Sequence, residues 1–311
     1  MQCHTLSRIA LFLAFVLSLS AQSTGLISQV KSLAWAKDVQ KAQEMIEKHR
    51  TSQNQITPEW VTAVSWLARG ASFAEQWDVA EKYAKEGYEG SLHLLKKRPL
   101  DADSYLPIAL GASIEVLGRV YDVRGDRAAA VEFLTEQLAN YKGTSIETRL
   151  QKNLLLLGLD DKPFPGLESE QYVGQKPPTT SEVKGKVVLY YFWAHWCGDC
   201  KRQMPVLKEL YEKYGDGGLV IVGPTRLYGY VARGEGATPQ QELDYLKNAY
   251  QQKHPIPSWM GVSVGTQDFL RFGVSTTPTL ILVDRGGIVR LYNPGTLSYE
   301  ELAGRIEQLL S

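Results

Sequence analysis

Hydrophobic residues recur every three or four positions through residues 26–159, and the few glycines and prolines lie mostly between the periodic runs. This spacing places apolar side chains on one face of each of several amphipathic helices. Residues 33–46 predict a single helix, and another begins at Pro58 with Thr57 as its N-cap. We therefore predict an all-α helical domain over residues 25–160.

The hydrophobic pattern changes in the second half of the chain. Residues 187–193 form a continuous apolar run rich in β-branched and aromatic side chains, which is typical of a strand buried on both faces. An amphipathic helix, a second strand at 219–223, a helix at 240–252, a hairpin around residues 284–287 and a final helix follow. Residues 161–311 are therefore predicted to form an α/β domain, with a central mixed sheet flanked by helices.

The first residues of the chain are predicted to direct export. Arg8 precedes an apolar run from Ile9 to Leu19, which has the length of a signal-peptide core and is short for a membrane span. Small residues allow cleavage after Ser20 or Ala21. Residues 1–24 are therefore interpreted as a signal peptide, with an uncleaved membrane anchor as the alternative, and export implies an oxidising compartment.

Charge and cysteine content narrow the classes of function. The chain has 34 basic and 34 acidic residues, so its net charge favours neither nucleic acid nor an anionic membrane surface as a partner. Cleavage of the signal would remove Cys3 from a total of three cysteines. Cys197 and Cys200 would then have only each other to pair with in the mature chain.

Cys197 and Cys200 follow the apolar strand and begin the next helix, in a C-x-x-C spacing. Unpaired backbone N–H groups and the helix dipole favour a thiolate at the first cysteine. The second cysteine lies one turn further, within reach of a short disulfide. A zinc site would need two more ligands, and neither a third mature cysteine nor histidines at ligand spacing supply them. We therefore predict no metal.

Two signatures resemble the thioredoxin superfamily, and in particular its TlpA/ResA-like branch of extracytoplasmic bacterial proteins. One combines Gly-Lys-Val-Val at 185–188, Phe-Trp-Ala at 192–194 and Trp-Cys-Gly-Asp-Cys at 196–200, and the other is Gly-Val-Ser-Thr-Thr-Pro-Thr at 273–279. The resemblance covers roughly the C-terminal half. It implies a thioredoxin-like fold, entered through a short hairpin, and an oxidoreductase that needs no cofactor beyond the redox-active disulfide Cys197–Cys200.

The resemblance also implies roles for individual residues. Cys197, expected to be exposed at the helix start, attacks a substrate disulfide, and the more buried Cys200 resolves the mixed disulfide. Pro278 is expected to be a cis-proline facing the cysteines, and Thr277 and Pro278 to offer backbone hydrogen bonds to an extended substrate. The predicted site is completed by Trp196, which would shield one side of the nucleophile, and by Gly198 and Asp199.

Three positions near the cysteines bear on the chemistry. Tyr191 stands where thioredoxins have a buried aspartate, which puts carboxylate-assisted proton transfer in doubt. Asp199 stands where many relatives have proline, and about 7 Å from the sulfur its charge would disfavour a thiolate by roughly 0.6–2.4 kcal/mol. Neighbouring basic residues and the helix dipole oppose this effect, so no strong acidification of Cys197 is expected. His195 is interpreted as an exposed turn residue, with tuning of the thiolate as the alternative.

Two further segments carry open alternatives. One helix pair resembles a tetratricopeptide repeat in the spacing of Leu117-Gly118, Tyr121, Gly125-Asp126, Ala130 and Leu134. The helical domain is therefore either an array that binds a protein partner or a bundle that packs on the thioredoxin-like domain. Residues 224–239, rich in Tyr, Arg and Gly, follow the carboxyl end of a strand. They are either a loop that shapes the substrate site or a solvated insertion.

These features together predict an extracytoplasmic thiol–disulfide oxidoreductase of the bacterial periplasm that reduces protein disulfides through Cys197 and Cys200. Its expected partners are protein disulfide substrates, an upstream electron donor and a protein bound by the helical domain. A disulfide oxidase or isomerase of the same fold is one alternative. A helical-repeat scaffold with a structural disulfide is another.

Overall fold

The structure is a computed structural model, and it describes residues 25–52, 55–169 and 171–311; the predicted signal peptide, residues 1–24, lies outside them. Helices come first: α1 (Leu26–Trp35), α2 (Val39–Ser52), α3 (Pro58–Phe73), α4 (Trp77–Leu95), α5 (Tyr105–Val123), α6 (Arg127–Asn140) and α7 (Glu147–Gly158). No helix in the described ranges is both long and apolar enough to cross a bilayer.

A mixed α/β region follows the helices. Its elements are β1 (Gln171–Val173), β2 (Val187–Phe192), α8 (Gly198–Tyr214), β3 (Leu219–Val222), α9 (Pro239–Lys247), α10 (Ala249–Lys253), β4 (Val262–Val264), α11 (Thr266–Arg271), β5 (Thr279–Val283), β6 (Val289–Pro294) and α12 (Tyr299–Leu310). The predicted fold class is confirmed, because an all-α region precedes a thioredoxin-like α/β region.

A local signal fixes the start of α3. Thr57 Oγ1 accepts the backbone N–H of Trp60 at 3.2 Å, and Pro58 occupies the first turn of α3, as predicted. The single helix predicted over residues 33–46 is wrong, because the chain breaks between α1 and α2. Lys37 adopts a left-handed conformation there, with φ of 56°, which is uncommon for a residue other than glycine.

The helix pair α5 and α6 shows how small residues allow close packing. Gly125 has a φ of 86° in the connection, and Asp126 Oδ1 accepts the N–H of Ala129 at 3.0 Å. Gly118 lies against Leu134, so closely that a Cβ would approach the leucine side chain to 3.0 Å. The glycine of the tetratricopeptide-like pattern thus lies at a helix crossing, while a repeat array stays a prediction.

The central strand of the α/β region is β2. In the described residues it lies in a sheet of order β3-β2-β5-β6, parallel to β3 and antiparallel to β5, while β5 and β6 form the predicted hairpin. Every residue of β2 is buried. Leu189 and Tyr191 face one core, and Tyr190 and Phe192 face the other. The strand buried on both faces is therefore as predicted.

Three features of this region differ from the sequence-based expectations. β1 pairs antiparallel with β4, so the expected entry hairpin is absent from the described residues. The helix predicted over 240–252 is divided at Asn248 into α9 and α10. β4 and α11 were not predicted, because each spans only three to six residues and so lacks a measurable period.

The helix α7 joins the two parts of the molecule. It packs against α5 and α6 on one side and against α11 and β6 on the other. Gly273, with φ of 58°, lies directly on its backbone, since a Cβ there would come within 2.4 Å of Lys152 N. The helical region therefore rests on the chain segment that leads into residues 275–278.

Candidate active site

Backbone hydrogen bonds fix the turn between β2 and α8. Trp193 donates its backbone N–H to Pro224 O and its indole Nε1–H to Gly223 O, both at 3.0 Å. Cys197 N–H donates to Ala194 O at 3.1 Å. These bonds tie the turn to the end of β3 and hold Cys197 as the N-cap of α8.

Cys197 and Cys200 form a disulfide, with their Cα atoms 5.2 Å apart. Cys197 Sγ accepts the backbone N–H of Cys200 at 3.0 Å, as expected for a first cysteine at a helix N-terminus. The expectation that Cys197 is exposed is wrong: the residue is 4% exposed and Cys200 2%. Both cysteines are therefore largely shielded from solvent.

The turn that precedes β5 lies against this disulfide. The Thr277–Pro278 bond is cis, and Thr277 O is 3.3 Å from Cys197 Sγ. In the disulfide this is a close contact, whereas a reduced Cys197 thiol can donate a hydrogen bond to the same oxygen. Thr277 is half-buried and Pro278 buried. The structure thus brings together two sequence signatures that are 80 residues apart.

The other three predicted residues flank Cys197 in the sequence and are exposed. Trp196 is 48% exposed and meets Tyr228 edge-on, with ring centroids 5.4 Å apart. Gly198 is exposed at the first position of α8. Asp199 is about half exposed and forms an ion pair with Arg202. This pairing weakens the influence of Asp199 on the sulfur relative to an isolated carboxylate.

The loop of residues 224–239 divides into a packed part and an exposed part. Tyr228 and Tyr230 meet the His195 ring edge-on, with centroids 5.9 and 5.5 Å away. Residues 232–236 are exposed. The loop is therefore not a wholly solvated insertion, because its first half packs against the turn between β2 and α8. We call this turn, residues 193–197, the redox turn.

His195 is buried, at 3% exposure, so its interpretation as an exposed turn residue is wrong. Its Nε2 lies 3.2 Å from Oε1 of Glu242, an ion-pair distance, although the ring N–H is not aligned for a hydrogen bond. Glu242, itself fully buried, accepts the backbone N–H of Tyr228 at 2.9 and 3.0 Å and that of Gly229 at 2.8 Å. Burial lowers the pKa of His195, and Glu242 acts in the opposite direction.

Sequence reasoning did not find Glu242. The available signal was its position, because it lies four residues before the buried Leu246 and so places a carboxylate on the apolar face of α9. Such a carboxylate needs buried donors. The donors are backbone N–H groups of the loop, and a histidine 47 positions earlier lies beside the carboxylate. No local pattern indicates either.

Tyr191 does not replace the aspartate of other thioredoxins. Its hydroxyl donates to Cys200 O at 2.8 Å, and burial raises its pKa far above the usual value. So weak an acid can hold the Cys200 backbone in place but does not exchange a proton near neutral pH.

A cavity of about 200 Å³ lies beside Cys200, and its lining includes Tyr191, Lys201, Tyr250 and Met260. Within the described part of the chain, no group of three or more His, Cys, Asp or Glu side chains is placed to hold a metal ion.

Comparisons with known proteins find relatives of the C-terminal part. The redoxin family model matches residues 160–303. The thiol-disulfide oxidoreductase ResA of Bacillus thuringiensis (strain Al Hakam) is 27% identical over 128 residues, which are 41% of this chain and 66% of ResA. The thiol:disulfide interchange protein DsbE of Pseudomonas fluorescens biotype C is 28% identical over 156 residues, which are 48% of this chain and 76% of DsbE.

Part of the chain is also similar to solved structures. The crystal structure of a thiol:disulfide interchange protein of the thioredoxin family from Chlorobium tepidum TLS covers 49% of this chain and 97% of that protein, at 22% identity and a TM-score of 0.39. The chain spans slightly under two thirds of the length of ResA, 66%, and the family match begins only after α7.

Proposed function

Because the redoxin family model matches residues 160–303, we propose that this part of the chain is a domain of the thioredoxin superfamily. We propose further that the chain is a thiol–disulfide oxidoreductase that reduces protein disulfides outside the cytoplasm. One observation carries this proposal. The Cys197–Cys200 disulfide caps α8, and Cys197 Sγ lies 3.3 Å from the Thr277 carbonyl.

The reaction needs the two cysteines and a substrate disulfide. The Cys197 thiolate attacks one substrate sulfur, a mixed disulfide forms, and the other substrate sulfur leaves as a thiolate. Cys200 then attacks Cys197 Sγ, the Cys197–Cys200 bond forms, and the second substrate sulfur leaves. Two electrons pass to the substrate. The Cys200 N–H, donated to Cys197 Sγ, stabilises charge on the attacking sulfur.

The surroundings of the disulfide suit an extended polypeptide substrate. The Thr277 backbone lies beside Cys197, so a substrate segment can pair with this turn as a strand would. The exposed Trp196 ring, braced by Tyr228, offers an apolar contact on another side. In this proposal, Trp196, Gly198, Asp199, Thr277 and Pro278 form the substrate contact surface.

The direction proposed is reduction of the substrate. Burial of Cys197, the nearby Thr277 carbonyl and Asp199 all disfavour a thiolate, while the helix dipole and the Cys200 N–H favour it. A thiolate that is only weakly stabilised makes the dithiol a better reductant. We therefore expect the Cys197 thiolate to be less stabilised than that of a strong oxidase.

Trapping of clients tests the nucleophile. Cys200→Ser should accumulate mixed disulfides with client proteins, because the resolving sulfur is gone, whereas Cys197→Ser should not. Equal trapping by both variants, or by neither, would contradict the assignment.

The site is proposed to need no cofactor, and the purified protein should reduce insulin with dithiothreitol as its only electron source.

The reduction potential against glutathione buffers tests the direction. A value above about −180 mV, that of protein disulfide isomerase, would favour the oxidase or isomerase alternative. Asp199→Asn should make the potential more oxidising by less than about 30 mV, since one pK unit corresponds to about that much and Arg202 already pairs with Asp199. Glu209→Gln, at an exposed position later on α8, is the matched control and should change nothing.

The cellular place and the partners belong to the same proposal. Residues 1–24 would direct export to the bacterial periplasm, an upstream donor would return electrons to the disulfide, and the helical region would bind a protein partner. Mass spectrometry of the protein from its host decides the first point. A mature chain that still begins at Met1 would indicate an anchor in place of a cleaved signal.

A further inference from the structure

A second cavity lies between the helical region and β6, away from the disulfide. Its volume is about 440 Å³, within the range of small-molecule sites. We call it the interface cleft. Its polar lining has the donors Arg69, Arg119, Lys152 and Asn153 and the carboxylates Glu115 and Asp122, and Leu156 and Pro294 are among its apolar lining. Asp122 is already paired with Arg127 at 3.1 Å.

Positive charge exceeds negative charge at the base of the interface cleft. Glu115 is surrounded by Lys152 at 2.7 Å, Arg149 at 3.3 Å and Arg69 at 3.9 Å. Among the described residues these three cations form no other ion pair, so two positive charges stay uncompensated. Arg119, at the rim, has no ion-pair partner there either, and its guanidinium lies over the Trp77 ring at 5.3 Å.

Two buried donors in the interface cleft lack acceptors in the described part of the chain. They are Arg69 Nε and Asn153 Nδ2, and Asn153 is only 6% exposed. Arg69 cannot easily turn away, because its guanidinium lies 4.4 Å from the Trp66 ring centre and 5.5 Å from that of Phe73. Unpaired buried donors destabilise a fold. Both atoms expose less than 1 Å², so a ligand in the interface cleft would accept from them after a small local shift of the side chains.

We propose that the interface cleft binds a small amphipathic carboxylate. The carboxylate accepts hydrogen bonds from Arg69 and Asn153 and neutralises the surplus positive charge, since its two oxygens accept several donors. The hydrocarbon part lies against Leu156 and Pro294. This site involves neither cysteine, so it stands or falls separately from the proposed oxidoreductase function.

Calorimetric titration of the full mature chain tests the site with three probes: octanoate, octanol and inorganic phosphate. Octanoate should bind at one site. Its affinity should be at least tenfold higher than that of octanol, which lacks the charge, and that of phosphate, which lacks the apolar part. Absence of octanoate binding, or equal affinity for octanoate and octanol, would overturn the proposal.

Two variants locate the binding. Asn153→Leu, similar in size, should weaken octanoate binding at least fivefold without lowering the melting temperature, because it removes an unpaired amide. Arg119→Gln alters only an exposed cation at the rim and should weaken octanoate binding about threefold. If Asn153→Leu does not fold, the affinity of Arg119→Gln shows whether octanoate binds in the interface cleft. Asn140→Leu, exposed on α6, is the matched control. Wild-type affinity in both cleft variants would show that octanoate binds elsewhere and refute the site.

Discussion

Replacing Glu242 by glutamine tests whether the buried carboxylate holds the loop of residues 224–239 against the redox turn. The carboxylate receives N–H groups from Tyr228 and Gly229 and lies 3.2 Å from His195 Nε2. Glutamine has the same shape but only one acceptor oxygen. Its NH₂ group would face at least one backbone donor that it cannot accept from.

The expected loss of stability follows from these contacts. A glutamine oxygen at the Oε2 position keeps both N–H groups but sets its NH₂ against the Tyr228 N–H, and the opposite orientation leaves Gly229 without an acceptor. Either arrangement costs about 1–3 kcal/mol. The hydrogen bonds that persist change from charge-assisted to neutral, and this weakening lowers the stability by roughly another 1 kcal/mol. Because His195 can stay neutral, no uncompensated buried charge is left behind. We therefore expect the free energy of unfolding to fall by about 2–4 kcal/mol in Glu242→Gln.

Three measurements check this prediction. Urea denaturation gives the change in stability, and hydrogen exchange should show lost protection at the Tyr228 and Gly229 amides. The pKa of His195, already lowered by burial, should fall further, because Glu242 opposes that effect in the wild type. Glu235→Gln, exposed in the same loop, is the control and should be neutral. A stability change below 1 kcal/mol with unchanged amide protection would refute this account of the loop.

Three further predictions follow from single contacts. Burial raises the pKa of Glu115, but its cationic neighbours outweigh this and lower it to about 2, against 4.5 in the unfolded chain. About 3 kcal/mol of stability is therefore present above pH 4.5 and lost as the pH falls towards 2, and a carboxyl titration midpoint above 4 by NMR would contradict this. Tyr191→Phe removes the hydroxyl that donates to Cys200 O at 2.8 Å and should cost about 1–2 kcal/mol in urea denaturation, with an unchanged midpoint counting against the bond. Thr57→Ala removes the acceptor for Trp60 N–H and should cost about 1 kcal/mol, whereas Thr57→Ser should restore most of it.

The parts of the site that could be predicted from sequence have strong local signals. The apolar run of β2 and the C-x-x-C that follows it specify a strand, a turn and a helix start within a few residues. The apolar strand after Pro278 gives the second signature. Both are governed by backbone preferences and by burial on two faces, which a single sequence displays directly.

The parts that could not be predicted depend on contacts between distant polar residues. His195 has no apolar pattern of its own and is buried because distant residues surround it. These are Glu242, the loop residues Tyr228 and Tyr230, and Tyr245 and Tyr250. The exposure of Cys197 was misjudged for a similar reason, since Thr277 O lies against its sulfur from 80 residues away. The break at Lys37 requires a left-handed lysine, a conformation that composition does not signal.

The position of α7 has a consequence for how the chain can be divided or recombined. The helix packs on α5 and α6 and also on α11 and β6, and the Gly273 backbone lies flat against it. A fragment that starts at residue 161 would lack α7, so the face of α11 that packs on α7 would be exposed to water. A fragment that starts at residue 147 would keep this contact. In modular evolution the exchangeable unit is therefore the redox half together with its last preceding helix, and a crossover at residue 160 would separate two surfaces shaped for each other.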